Sequence, residues 1–150
     1  MKKLLVFLLA VVLLGSCKKK EDSRDQYLGT WNFEGLGNIT RYENGQILAS
    51  TQIVGSGTLS ITKSGDNDLL FLEDGQTEGR IYSVSGTNIT SNPENGTETN
   101  NGINLVYTTF ADGTLGPNLI IINVDINGTW NASNGTYGNL SGSSTTTLTR

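Results

Sequence analysis

Residues 119–130 read Leu119-Ile120-Ile121-Ile122-Asn123-Val124-Asp125-Ile126-Asn127-Gly128-Thr129-Trp130. Ile120, Ile122, Val124, Ile126 and Trp130 share one parity, while Asn123, Asp125, Asn127 and Thr129 take the other. A period of two sends successive side chains to opposite faces, which predicts a strand with one face in a core and the other in water. The same period appears upstream in Trp31 and Phe33 against Asn32 and Glu34, in the stretch from Ile47 to Ile53, and in Leu59 and Ile61. Asn38–Tyr42, Leu69–Leu72, Ile81–Val84, Thr87–Thr90 and Ile103–Phe110 read as further short strands, and Thr145–Arg150 is rich in β-prone threonine.

Between these runs stand turn formers: Asn44-Gly45, Ser64-Gly65-Asp66, Asp74-Gly75, Ser85-Gly86 and Asn134-Gly135. Ser91–Gly102 carries no apolar residue and is predicted as a long polar loop. No segment after Cys17 keeps apolar residues at helical spacing for long. The expected fold is therefore all-β, an antiparallel meander closing into a small barrel of about eight strands, since closure removes exposed strand edges. A two-sheet β-sandwich fits the alternation equally well.

Composition narrows the chemistry. The chain has 150 residues, no histidine and a single cysteine, Cys17. Ser-His-Asp triads, Cys-His pairs and Cys/His zinc sites are excluded by inventory. From Gln26 onward four basic residues (Arg41, Lys63, Arg80, Arg150) meet eleven acidic ones, a net charge of −7. An acidic domain without a basic, aromatic-laced patch is not expected to bind nucleic acid. Asp66-Asn67-Asp68 lacks the rest of a calcium loop. Glu73, Asp74 and Glu78 would need to face one cleft to act as paired carboxylates, and solvated strand ends are the simpler reading. No catalytic residue, metal ligand or cofactor is expected.

The amino terminus speaks to location. Lys2 and Lys3 precede an apolar run, Leu4–Leu14, of 11 residues. That is about half of the ~20 residues a membrane-crossing helix needs, and a short apolar run behind a positive start is the pattern of a secretion signal. Leu14-Gly15-Ser16-Cys17 resembles the lipobox of bacterial lipoproteins. The resemblance implies removal of residues 1–16 and attachment of lipid to Cys17, with the membrane as partner through that anchor. Residues 17–26 then form a lipidated cysteine and charged tether, and residues 27–150 the barrel domain. Lys-Glu-Asp at 20–22 resembles a surface-export signal of such proteins, which implies the outer membrane of a Gram-negative bacterium and its outer face. The periplasmic face is the alternative.

Gly29-Thr30-Trp31 resembles the start of the first strand in lipocalins and lipocalin-like lipoproteins, and the triplet recurs as Gly128-Thr129-Trp130. In that family the tryptophan closes the barrel floor and an arginine near the final strand packs over it. The resemblance implies that Arg150 lies over Trp31. It also implies a non-catalytic barrel that binds a small apolar or amphipathic ligand in its mouth. The other reading is a surface structural or interaction module with a filled core, acting through loops such as Ser91–Gly102.

Overall fold

The computed structural model describes residues 22–150, and every described strand is antiparallel to its neighbours. The strands are β1 (Gly29–Glu43), β2 (Gln46–Ser64), β3 (Asp68–Glu73), β4 (Arg80–Ser85), β5 (Asn88–Ser91), β6 (Glu94–Asn100), β7 (Ile103–Leu115), β8 (Leu119–Ala132) and β9 (Tyr137–Thr149). Their hydrogen-bonded order is β5-β4-β3-β2-β1-β9-β8-β7-β6, and β5 also pairs with β7. That last pairing joins eight strands into a ring, with β6 attached outside it along β7. A single closed sheet replaces the sandwich alternative.

The ring is uneven. β3, β4 and β5 have 6, 6 and 4 residues, whereas β1, β2, β7, β8 and β9 have 13 to 19. Closure is therefore confined to the end of the barrel where the short strands lie. Beyond them the long strands continue as an open, curved sheet. β2 contacts β3 only from Leu59 to Ser64, which leaves its stretch from Gln46 to Gly57 without a strand on that side.

One core fills the closed end. Trp31, Ile61, Leu69, Ile89, Ile120 and Leu148 are almost wholly buried, packed with Phe71, Tyr82, Ala111, Leu115 and Ile122. In β8 the buried residues are Ile120, Ile122, Ile126 and Trp130, the even parity that the sequence pattern assigns to the core. Each such side chain contributes roughly 1.5–3 kcal/mol by leaving water. The closed end is packed with these side chains.

Asn38–Tyr42 is strand, as expected, and forms the continuation of β1, which pairs without a break from Gly29 to Arg41 against β2. One expectation is corrected. Ser91–Gly102 is not a loop: Glu94–Asn100 is strand β6, in register with β7 from Glu94↔Thr109 to Asn100↔Ile103. Its reversal is Asn101-Gly102, both at positive φ (50° and 74°), the geometry of an Asn-Gly hairpin turn. β6 has no apolar residue because it buries no face. Its side chains bond across the sheet instead, Thr108 Oγ1 to Asn95 Oδ1 (2.7 Å) and Thr99 Oγ1 to Asn104 Oδ1 (2.7 Å).

The stretch 22–26, which composition assigns to the tether, is held against the barrel. Arg24 is buried, its guanidinium forked onto the Asp22 carboxylate (3.0 and 2.7 Å) and donating to the carbonyls of Gly65 (3.1 Å) and Asp68 (3.0 Å) in the β2–β3 turn. Lys63 Nζ joins Asp22 (2.9 Å) and Asp25. A single turn of 3-10 helix, Asp25–Tyr27, then leads into β1 and buries Tyr27.

Candidate functional site

Cys17 lies outside the described residues. The other two expected site residues are brought together: the Arg150 guanidinium carbon sits 4.3 Å from the centre of the Trp31 ring. Trp31 is completely buried, and its indole N–H donates to the Tyr27 carbonyl (2.9 Å). Arg150 donates to the carbonyls of Gln26 (3.1 Å) and Leu28, so the last residue of the chain clamps the segment that enters β1. This pair seals an end of the barrel by holding the chain to itself.

The repeated triplet does the same at the opposite end of the long strands. Arg41 stands 5.3 Å from the Trp130 ring centre, and the Trp130 indole N–H donates to the Tyr42 carbonyl (3.1 Å). Tyr42 lies 11 positions along β1 from Trp31, a rise on the order of 35 Å. Both Gly-Thr-Trp triplets thus place a tryptophan whose ring meets an arginine and whose N–H meets a tyrosine carbonyl. Arg41 is a residue that sequence reasoning passed over, because its partner is 89 positions away in the chain.

Between these ends, where β3 and β4 no longer fill the ring, the two flanks of the sheet face each other across a cleft. It has a volume of about 590 Å³. Ile39 of β1, Ile53 and Val54 of β2, and Ile103 and Leu105 of β7 supply apolar walls. Arg41 lies at one side and Glu98 of β6 at the other, the single carboxylate among the lining residues. The sheet is thin here because its inward positions are small: Gly35 and Gly37 on β1, Gly55 on β2, Gly142 and Ser144 on β9. No single stretch of sequence announces the cleft, because its walls come from four strands.

Asp22, Arg24, Lys63 and Tyr82 titrate away from their ordinary values, and two of them, Asp22 and Tyr82, are shifted furthest. The Arg24 side chain, then its backbone N–H, then Lys63 hold the Asp22 carboxyl well below the usual carboxylate range. Burial pushes the Tyr82 phenol up to about 12; its ring packs against Phe71, with centroids 4.7 Å apart. Both groups serve the packing of the closed end and lie away from the cleft. Glu73 and Asp74 sit exposed where β3 ends, and no group of acidic or sulfur ligands able to hold a metal occurs among the described residues.

No protein-family model matches the chain, and no curated protein matches it. Among solved structures it is similar to a protein of unknown function from the DUF3598 family of Nostoc punctiforme, at 13% identity and a TM-score of 0.37. The match covers 86% of this chain and 49% of that one, so the chain spans about half the length of that protein.

Proposed function

We propose that this chain is a lipid-anchored, lipocalin-like binding module of a bacterial outer membrane, and that its ligand is a small apolar or amphipathic molecule held in the open cleft. The observation that carries the reading is the cleft itself. Its volume of about 590 Å³ falls within the ~300–1,000 Å³ of small-molecule sites. Five aliphatic side chains would cover the apolar body of the ligand, while Arg41 and Glu98 would meet polar groups at its ends. The reading differs from a typical lipocalin in one respect: the ligand lies beyond the packed closed end and not inside it.

Catalysis forms no part of the reading. Carboxylate-pair hydrolysis needs two facing acids, and the cleft lining offers Glu98 alone.

The lipobox-like Leu14–Cys17 supports the anchor. Asp22, the first described residue, is held to the barrel and is five positions from Cys17, a reach of at most ~18 Å. Such a short link would keep the Trp31 end at the membrane and turn the cleft outward.

Native mass spectrometry of protein purified from its own membrane tests the ligand. A co-purifying mass is expected, absent from a Leu105→Arg variant that folds normally. A wild-type protein that carries nothing would refute the reading. For the anchor, Cys17→Ser is expected to move the protein from the membrane fraction to the soluble one.

A further inference from the structure

We propose that this protein forms a symmetric dimer by pairing the free edge of β2 with the same edge of a second copy. Pairing needs neither a ligand nor a lipid, but Thr51, Gln52, Ile53 and Val54 also line the cleft, so a second copy and a cleft ligand would compete for this edge.

An unpaired strand edge offers a row of free backbone N–H and C=O groups, and proteins commonly blunt such edges with charge, proline or a covering element. β2 has none of the first two. From Asn44 to Thr62 there is no charged residue and no proline. No described strand covers its outer side from Gln46 to Gly57. The other free edge, β6, carries Glu94 and Glu98. Exposure is also uneven: Val54 is 70% exposed, Leu48 49%, and Leu36, the neighbour of Val54 on β1, 57%.

The direction of the free groups follows from the ladder. The Thr58 carbonyl accepts from the Asp74 N–H on the β3 side (2.9 Å). In an antiparallel pair a residue turns its N–H and C=O to the same side, and the side alternates along the strand. Ser50, Gln52, Val54 and Ser56 therefore point both groups at the open edge.

These constraints select a register. If the two-fold axis passes through Thr51, Gln52 of one copy opposes Ser50 of the other and Ile53 opposes Ala49. Thr51 then opposes itself. From Ala49 to Ile53 polar meets polar and apolar meets apolar, cross-strand Thr–Thr pairs are favourable, and the bulge at Leu48 ends the regular ladder on either side. Moving the axis to Gln52 sets Val54 against Ser50 and Ile53 against Thr51; moving it to Ile53 sets Val54 against Gln52. Neither matches. The acidic remainder of the domain opposes association, so the neutrality of this strand is what permits it. The occupant is a second copy because the register about Thr51 is complementary to itself.

The test uses the chain with Cys17→Ser, which removes both the lipid and the only native thiol. Sedimentation equilibrium should show a concentration-dependent dimer. Thr51 would form a non-hydrogen-bonded pair with itself, Cα atoms ~4.5 Å apart, inside the disulfide range of ~4.4–6.8 Å. Thr51→Cys should then form an intermolecular disulfide under mild oxidation. Ile53→Cys, whose two copies would lie ~13 Å apart along the strands, should cross-link at least roughly tenfold less. Gln52→Pro removes a donor on the free side only and should give a monomer. If it fails to fold, the two cysteine variants decide the matter. A monomer at all concentrations, or equal cross-linking at both positions, overturns the proposal. So does a monomer that captures foreign extended peptides on this edge.

Discussion

Trp31 and Arg150 carry an unusual share of the fold for two side chains. The indole fills the closed end and its N–H is satisfied by Tyr27, while the guanidinium covers the ring and ties down Gln26 and Leu28. A cation–π contact at an exposed site gives ~0.5–1 kcal/mol, and hydrogen bonds from a charged donor each add ~1.5 kcal/mol or more where water is excluded. Arg150→Ala is expected to cost about 1–2 kcal/mol in urea unfolding, with Arg150 exposed and so at the low end. Trp31→Ala should cost ~3–5 kcal/mol, the range for truncating a buried tryptophan. The equivalent Arg41→Ala change at the Trp130 end should cost less than either, because among the described residues no second segment depends on Arg41 for its carbonyls.

Titration also belongs to this scale. Asp22 has a folded pKa below its unfolded value of ~3.9, so its contribution is complete above pH ~4 and is lost as pH falls through the folded value. Asp22→Asn should therefore lower stability at pH 5–7 and flatten its dependence on pH below 4. Tyr82 behaves in the opposite sense. Its folded pKa of about 12 exceeds the usual 10, so its contribution holds below pH 10 and is lost as pH rises from 10 to 12. Tyr82→Phe should remove that alkaline decline, measured by the unfolding midpoint between pH 9 and 12.

Among the elements, β6 and β8 are opposite cases. β8 declares itself because one face is buried in the core over most of its length and water wets the other, the condition that produces a period of two. β6 has water on both faces, so nothing constrains its composition to alternate, and only its Asn101-Gly102 turn and the bonding groups of β7 make it a strand. The β8–β7 contact shows what curvature demands. A Cβ on Gly128 would strike the Val106 carbonyl and Tyr107 backbone, since the sheet coils tightly there. Gly45, at the tip of the β1–β2 hairpin with φ 79°, has open space around it. Gly45→Ala should cost ~1–2 kcal/mol from left-handed backbone alone. Gly128→Ala should cost ~1–3 kcal/mol or more from overpacking and should also loosen amide-exchange protection at Val106 and Tyr107. Equal losses, with no change in exchange, would contradict a tightly coiled sheet.

For the whole molecule, the decisive feature is unequal strand length. Eight strands close a ring only as far as β3, β4 and β5 reach, and that closed end is filled with side chains. The rest of the sheet opens into the cleft and leaves the β2 edge free. The ligand and dimer proposals both arise from that same shortfall. Both use Thr51–Val54 of β2 and so compete, but they are read separately: the first by a co-purifying molecule, the second by a cross-link at Thr51.

The sequence by itself determined the all-β class, the antiparallel meander, the inward parity of β8 and most of the turns. These are local consequences of which side chains meet water and which dipeptides accept positive φ. It also named Trp31 and Arg150, although only through resemblance, since nothing local links residues 119 positions apart. The tertiary structure alone decided where the ring closes, because that depends on how far the short strands β3–β5 extend beside β2. It decided that Asp22 and Arg24 leave the tether for the β2–β3 turn, because their partners are carbonyls brought near by folding. It placed the cleft at the open end, because walls drawn from distant strands exist only once those strands are paired.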